Sequence, residues 1–324
     1  MSEQGGLIYA AVLDGKGNGR EIGWAEIENW TADQGLLWVH LDRTGAQVQN
    51  WLTQRSGIDP VISQTLLQEG ARPRTLTVGE AMLVILRGVN LNPGADPEDM
   101  VGVRVWLERD RIITLRYRRL MAVNDIRESV AAGQGPKSSG EFLLRLSDGL
   151  IGRMGPVIAE LDDRVDQLEE EVLTAQSAAL RARLGAIRRE AIALRRYLAP
   201  QRDVMSRLPM EQVSWLEAAQ KAHLREIADR TLRYVEDLDA ARERAAVTQD
   251  ELNNRLADQM NKTMYVLTVV AAILLPPGLI TGLFGINVGG MPGVENPWAF
   301  MTIVVFIAGL AVVEIVLLRH LKWI

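Results

Sequence analysis

The chain has 324 residues, enough for two or three domains by length alone. Its 36 Lys and Arg and 41 Asp and Glu give a net charge of -5, which lends no support to nucleic-acid binding, since nucleic-acid-binding surfaces are usually basic. The absence of cysteine excludes disulfides, thiolate metal sites and cysteine nucleophiles, and three histidines leave little material for a multi-histidine metal site.

The first part of the chain, residues 1–139, mixes predicted strands with predicted helices. Turn residues such as Asp14-Gly15 and Asn92-Pro93-Gly94 separate runs rich in apolar and β-branched side chains. Helices are expected at 46–55 and 60–68, between some of these runs. The expected strands are 7–13, 36–41, 81–89, 101–107 and 112–115. This alternation predicts an α/β domain with a mixed sheet.

From residue 140 to residue 262 the pattern becomes helical. Apolar residues recur at i, i+4, i+7 and i+11, with acidic residues between them, at Leu161, Val165, Leu168 and Val172. A second helical stretch covers 178–208. A third begins at Ala218 and reaches no helix-breaking cluster before Pro276-Pro277-Gly278, which predicts a long stalk helix. A helix this long needs partners to bury its apolar stripe, so we expect an oligomer.

Two C-terminal runs are predicted to cross a membrane. Only Glu295 and Glu314 are charged between Lys262 and Arg319. Residues 263–286 and 297–318 are each at least as long as the roughly 20 apolar residues that span a bilayer. The alternative, a pair of buried core helices, is disfavoured because core helices of this length seldom lack charge so completely.

The flanking charges predict the orientation of the spans. Lys262 precedes the first span, and the tail 319–324 is basic, whereas the connecting loop 287–296 contains no Lys or Arg. By the positive-inside rule both termini are expected in the cytosol, with the loop outside the inner (plasma) membrane. The fold class expected is an α+β membrane protein, in which an N-terminal α/β cytosolic domain is followed by a stalk helix that continues into the first transmembrane helix.

A seven-residue repeat follows the end of the stalk and the first span. One track is Asn254, Asn261, Thr268 and Leu275, and a parallel track contains Asp250, Met264 and Ala271. A period of seven keeps one helix face toward the axis of a left-handed bundle. A track that is polar at one end and apolar within the bilayer is typical of a symmetric pore. It is equally typical of small and polar residues that pack between membrane helices, and the residues alone leave both interpretations open.

The end of the first span and the loop after it carry a family signature. The stretch 281–293 reads TGLFGINVGGMPG, and the stretches ARPR (71–74) and RRYLAPQRDV (195–204) accompany it. Together with the second span and the basic tail, this pattern resembles the CorA superfamily of divalent-cation transporters over essentially the whole chain. Asn287 is followed by Val288-Gly289-Gly290, where magnesium-transporting relatives commonly have an aromatic and an acidic residue. The resemblance is therefore greatest to the zinc-transporting, ZntB-like branch.

The resemblance implies a CorA-like homopentamer in a lipid bilayer, with the five first spans lining the pore. Gly285, Ile286 and Asn287 would then form the selectivity filter, and the Asn287 side chains would hold a hydrated cation by its water shell. The alternative is that Asn287 only caps the first span. The remaining pore or gate residues would be Asp250, Asn254, Asn261, Met264, Leu267, Thr268, Ala271 and Leu275.

Four other acidic and basic residues have weaker claims to function. Glu295 could recruit cations at the outer mouth or be a solvated loop acid. Glu314 lies near the cytosolic end of a peripheral span, so a role at the interface is favoured for it over a role in transport. His40 and Asp42 alternate along a strand and could bind zinc, but a structural role is favoured.

The resulting functional hypothesis is a Zn²⁺ transporter, with Co²⁺, Ni²⁺, Cd²⁺ and Mg²⁺ as alternative cargo and H⁺ as the candidate coupling ion. A Mg²⁺/Co²⁺ channel of the same architecture is the first alternative. A membrane-anchored cytosolic sensor is the alternative from a different class. An enzyme is not expected, because the sequence has no recognisable nucleophile–base pair or catalytic metal motif, and no covalent cofactor is implied.

Overall fold

The computed structural model describes residues 4–174, 178–285, 293 and 295–320. The chain divides into two compact units, residues 1–249 and 250–324. Several predicted features lie outside the described residues: Ile286 and Asn287, most of the loop 287–296, and residues 321–324 of the tail.

Within the described residues of the first unit, the strands are β1 (Leu7–Leu13), β2 (Gly19–Glu21), β3 (Leu36–Asp42), β4 (Arg74–Val78), β5 (Ala81–Gly88), β6 (Val101–Leu107) and β7 (Arg111–Arg116). They form one seven-stranded sheet in the order β2-β1-β3-β7-β6-β5-β4. β3 and β7 are parallel and every other neighbouring pair is antiparallel, which confirms the mixed sheet.

Helices cover both faces of the sheet. On one face, Leu37, Val39 and Leu41 pack in a core with side chains of α2 (Ala46–Gln54) and α3 (Pro60–Leu67), and Ile27 of the short α1 (Trp24–Glu28) joins them. On the other face, the Trp38 ring meets Phe142 of α5 (Ser139–Gly152) edge to face, with the ring centroids 5.0 Å apart. The helix α4 (Met121–Ala131) precedes α5. The alternation of strand side chains thus builds an α/β domain with two apolar layers.

The helical region contains α6 (Met154–Thr174), α7 (Ala178–Arg207) and the first part of α8 (Ala218–Phe284). The stripe predicted on α6 is confirmed, since Leu161, Val165, Leu168 and Val172 are all buried. Arg244 of α8 ties this region together by pairing with three acids of α6: Asp162, Asp166 and Glu169.

In the second unit, α8 continues to Phe284 without a break at Pro276 and Pro277. The second apolar helix, α9 (Ala299–His320), begins and ends two residues later than the predicted span 297–318. A turn precedes this start: Asn296 Oδ1 accepts a hydrogen bond from the Trp298 backbone N–H at 2.9 Å, and the Asn296 carbonyl accepts one from the Ala299 N–H at 3.1 Å.

Candidate pore face of the long helix

Eight of the predicted site residues lie on α8. At 3.6 residues per turn, Met264, Thr268, Ala271 and Leu275 fall within an arc of about 60°. Leu267 lies about 40° beyond that arc. All eight are exposed in the single chain: Asp250, Asn254, Asn261, Met264, Leu267, Thr268, Ala271 and Leu275. The repeat therefore defines one exposed face of the helix, which we call the track face.

The opposite side of α8 is partly buried. Its half-buried positions are Val269, Ala272, Ile273, Pro276, Pro277 and Ile280. The helix α9 has a similar stripe of its own, formed by Ile303, Ile307, Leu310, Ala311, Glu314 and Leu318. Each helix of this unit thus has one partly buried stripe, and the track face lies outside the stripe of α8. In one copy of the chain the track face is free for contact with other copies or with an aqueous path.

Both helices are long and apolar enough to cross a membrane, and only 6% of the most apolar stretch of each is buried. The core helix of a soluble protein would be mostly buried. Leu275 of α8 is 69% exposed and Phe300 of α9 is 79% exposed. Apolar exposure on this scale requires lipid or another protein surface.

The hydroxyl groups in these helices bond to their own backbone. Thr268 Oγ1 donates to the Met264 carbonyl at 2.8 Å, and Thr281 Oγ1 donates to the Gly278 carbonyl at 3.0 Å. This satisfies the hydroxyl hydrogen without water and leaves the lone pairs of the oxygen as acceptors. Pro276 and Pro277 also lack the N–H groups that would bond the carbonyls four residues earlier. The apolar part of α8 therefore offers oxygen atoms but no charge.

The ends of the track face differ in charge. Asp250 is exposed and pairs with no base among the described residues, whereas the neighbouring Glu251 pairs with Arg255 at 2.6 Å. At the other end, the Gly285 N–H donates to the Thr281 carbonyl at 2.9 Å and closes the helix. The predicted filter residues Ile286 and Asn287 follow, outside the described residues, and Glu295 lies exposed in a turn.

Residues 33–320 match the family described as "CorA-like Mg2+ transporter protein". The chain belongs to this family. It is 40% identical to the "Divalent cation transporter CmaX" of Pseudomonas aeruginosa over 324 residues, which cover 99% of this chain and 98% of the relative. It is 34% identical to the "Zinc transport protein ZntB" of Yersinia enterocolitica over 316 residues, which cover 98% of this chain and 95% of the relative.

The fold of this CorA-like chain agrees with a solved relative along its length. The structure of the full-length CmaX protein superposes with a TM-score of 0.87 at 40% identity and covers 98% of both chains. The resemblance recognised in the sequence is thereby confirmed, as is the fold class of an α/β domain, a long helix and two apolar C-terminal helices.

His40 of the CorA-like chain is a buried structural residue. Its Nδ1 lies 2.8 Å from Thr114 Oγ1, and the side chain is almost fully enclosed. The carboxylate of Asp42 instead accepts hydrogen bonds from the backbone and hydroxyl of Thr44. No group of three or more His, Asp and Glu side chains able to hold a metal occurs in the part of the chain that the structure describes. These contacts favour the structural role expected for His40.

The burial of His40 predicts a pH-dependent stability. Burial, aided by the positive charge of Arg116, lowers the pKa of His40 from 6.5 to about 3. Below pH 6.5 the unfolded chain binds a proton here that the folded chain does not, so stability falls as the pH falls. The loss between pH 7.5 and 5.5 is about 1.4 kcal/mol of unfolding free energy. Thermal unfolding of the detergent-solubilised protein at both pH values should show a smaller loss in His40→Gln than in the wild type.

The exposed His223 provides the matched control for this prediction. His223→Gln removes an imidazole from the surface rather than from the core, and it should retain the pH dependence of the wild type. Equal pH dependence in wild type and His40→Gln would contradict the assignment of a neutral buried imidazole.

The sequence interpretation missed a cluster of arginines in the first unit: Arg43, Arg87 and Arg104. The side chain of Arg87 stacks on Tyr197, with its guanidinium carbon 3.9 Å from the ring centroid, and its backbone exchanges two hydrogen bonds with Gln201. Tyr197 and Gln201 belong to the stretch 195–204 that served only as a family signature. The sequence signal that could have identified the cluster is an arginine inside an otherwise apolar strand, as Arg104 is in β6, because charged residues are rarely buried.

Proposed function

We propose that the chain transports divalent metal cations, Zn²⁺ first among them, through a pore lined by the track face of α8 in a homopentamer. The observation that carries this proposal is the exposed track face, which carries the acid Asp250 at one end and is uncharged from Asn254 to Leu275. In a pore on a symmetry axis, each subunit lines the channel with one continuous helix face, and that face is exposed when a single copy of the chain is considered alone. The names of the relatives, a divalent cation transporter and a zinc transport protein, support the same cargo class.

The proposed path carries the cation with its water shell. Removing that shell would require direct oxygen ligands of high charge, and the apolar part of the track face offers neutral oxygens only. A ring of Asn287 side chains at the outer end would instead hydrogen-bond the bound water, aided by the backbone carbonyls of Gly285 and Ile286. Glu295 would raise the local cation concentration outside this filter.

The proposed gate is the apolar throat of the same face. Met264, Leu267, Ala271 and Leu275 would exclude water from a narrow bundle and so block ions until the helices move. Thr268 interrupts the throat with an acceptor oxygen. At the inner mouth, Asn254 and Asn261 would rehydrate the cation, and a ring of Asp250 carboxylates would attract it.

The proposed arrangement in the cell places both termini in the cytosol and the two spans, 263–286 and 297–318, in the inner (plasma) membrane. The cytosolic part would comprise the α/β domain, 1–139, and the helical region, 140–262. The loop 287–296 would face outward and the tail 319–324 inward. The flanking basic residues and the absence of Lys and Arg from the loop support this orientation.

Zn²⁺ is preferred to Mg²⁺ because Glu295 is the one acid in the loop after Asn287. Mg²⁺ holds its water tightly and is usually recruited by carboxylates. A Mg²⁺/Co²⁺ channel remains the alternative within the family, with Ni²⁺ and Cd²⁺ as further cargo. H⁺ is the proposed coupling ion. A membrane-anchored sensor would need neither a track face nor ion flux.

Zn²⁺ uptake into proteoliposomes that contain the purified full chain tests this proposal. We expect uptake that rises with an inward proton gradient and is unchanged by excess Mg²⁺. Protein-free liposomes provide the baseline. Uptake that Mg²⁺ blocks and pH does not affect would instead assign the chain to the Mg²⁺/Co²⁺ alternative. Absence of flux for every divalent cation would favour the sensor.

A further inference from the structure

Three arginines of the first unit meet at one face of the sheet. Arg104 of β6 lies opposite Ile85 of β5, and Arg87 is two residues further along β5. Arg104 also lies opposite Leu115 of β7. Leu115 in turn pairs with Leu41 of β3, and Arg43 is two residues beyond Leu41. Because alternate residues of a strand share a face, all three arginines lie on the same side of the sheet.

The arginines bind the loop that follows α3 and the loop that precedes β6. Arg43 Nη1 donates to the Leu67 carbonyl at 3.0 Å, and Arg104 Nη2 donates to the Gln68 carbonyl. Arg87 Nη1 donates to the Met100 carbonyl at 2.7 Å, and its Nη2 donates to the Ala71 carbonyl at 3.3 Å. Each contact uses a neutral carbonyl, so these hydrogen bonds hold the loops without neutralising any charge.

Several donors of the cluster remain without an acceptor. The Nε atoms of Arg43, Arg87 and Arg104 are buried and have no hydrogen-bond partner among the described residues. Arg104 is 5% exposed, and its Nη2 donates to the Gln68 carbonyl while its Nε stays without a partner in the described part of the chain. A buried cationic donor without a partner has lost its hydrogen bond to water and gained none in return, so each one destabilises the folded chain.

The charge of the cluster is also unbalanced. Glu69 pairs with Arg43 at 3.0 Å, but its own side chain is 86% exposed. The other nearby acid, Asp99, pairs with Arg118. Burial and the positive charges of Arg43 and Arg87 lower the pKa of Arg104 to about 10. One weak carboxylate partner is too little for the two buried guanidinium groups of Arg43 and Arg104 and the half-buried one of Arg87.

The cluster surrounds a cavity of about 160 Å³. Its walls include Arg43, Arg87, Arg104, Tyr117 and Arg118. Pockets for drug-sized ligands usually measure about 300–1,000 Å³. The volume therefore suits a small anion or a single phosphoryl group, and it excludes a whole nucleotide.

We propose that this cavity binds a small oxoanion of the phosphate class, which accepts hydrogen bonds from Arg104 and balances the charges of Arg43 and Arg87. Guanidinium groups match the tetrahedral oxygens of such an anion with paired N–H donors. The site would join the loop 67–71 to the sheet and, through Arg87, to Tyr197 and Gln201 of α7. The proposal is independent of the transported ion, since it concerns an anion in the first unit.

Binding of inorganic phosphate to the full chain in detergent tests the site. Titration calorimetry and thermal unfolding should show binding and stabilisation by phosphate, and not by chloride at the same ionic strength. Arg104→Lys keeps the positive charge but removes the paired N–H donors of the guanidinium group. It should weaken phosphate binding by about tenfold or more. Arg55→Lys is the control, because Arg55 is exposed and pairs with Glu28. It should bind phosphate like the wild type.

Glu69→Gln gives a second test that does not depend on a buried substitution. It removes the carboxylate that competes for Arg43, so phosphate should bind more tightly by roughly threefold or more. A phosphate monoester such as glycerol phosphate, used in parallel, distinguishes a phosphoryl group of a larger molecule from the free anion, and binding of either supports the site. No phosphate binding in the wild type, an equal effect of chloride, or unchanged binding in both Arg104→Lys and Glu69→Gln would overturn the proposal.

Discussion

Replacing Asn287 by alanine is expected to abolish Zn²⁺ uptake in proteoliposomes while leaving the oligomer intact. In the proposed pore a ring of Asn287 side chains is the place where the hydrated cation is held, and alanine has no group that can hydrogen-bond its water. The loss should be at least about a hundredfold, which corresponds to roughly 2.7 kcal/mol of lost stabilisation shared over the ring. Initial rates of uptake, measured at equal protein density, give the comparison.

Asn296 provides the matched control for this substitution. It is an asparagine in the same connection between the two apolar helices, and its side chain is engaged with the Trp298 backbone at the start of α9. Asn296→Ala should remove this hydrogen bond but retain most of the uptake. Size-exclusion chromatography checks the assembly of both variants. Uptake that is unchanged in Asn287→Ala would show that Asn287 only ends the helix.

The sequence predicted the elements whose side-chain period is clear. The four apolar positions of α6 define its buried stripe because helical spacing alone selects them. The strands β1 and β6 were predicted with their observed bounds, since both are almost wholly buried and bounded by turn residues. In these elements the local pattern and the tertiary environment agree, which is why the pattern is sufficient.

The edges of the sheet were missed for a physical reason. β2 is a strand of three exposed residues, and β4 has no fully buried residue. Their strand conformation comes from pairing with β1 and β5 rather than from an apolar pattern of their own. Edge strands carry a weak pattern because one side of each meets solvent or charged residues.

The two candidate sites differ in how far a sequence can reveal them. The track face follows from a seven-residue repeat along one helix, so the spacing alone places Met264, Thr268 and Leu275 on a common face. The arginine cluster joins residue 87 of β5 and residue 104 of β6 to residue 43, which directly follows β3, and the three meet only through the register of the sheet. No local period links these positions, and the sheet order is needed to bring them together.

Opening the proposed gate gives the second large effect. Met264→Ser replaces an apolar ring by a ring of hydroxyl groups, which lowers the cost of filling the throat with water. If the barrier to wetting falls by about 1.4 kcal/mol, basal Zn²⁺ flux without a proton gradient should rise about tenfold. The same substitution should also weaken the stimulation of uptake by a gradient, because less of the barrier remains to be removed. Flux measured with and without the gradient tests both parts.

Met301 makes this experiment specific to the track face. It lies on α9 and is 57% exposed in the single chain, against 58% for Met264, so the two methionines match in type and in exposure. Met301→Ser removes the same apolar surface from a helix that is peripheral in the proposed pentamer, and its flux should equal that of the wild type. A rise in both variants would mean that any polar residue in these helices makes the membrane leak. A rise in neither would mean that Met264 packs between helices and lines no water-filled path.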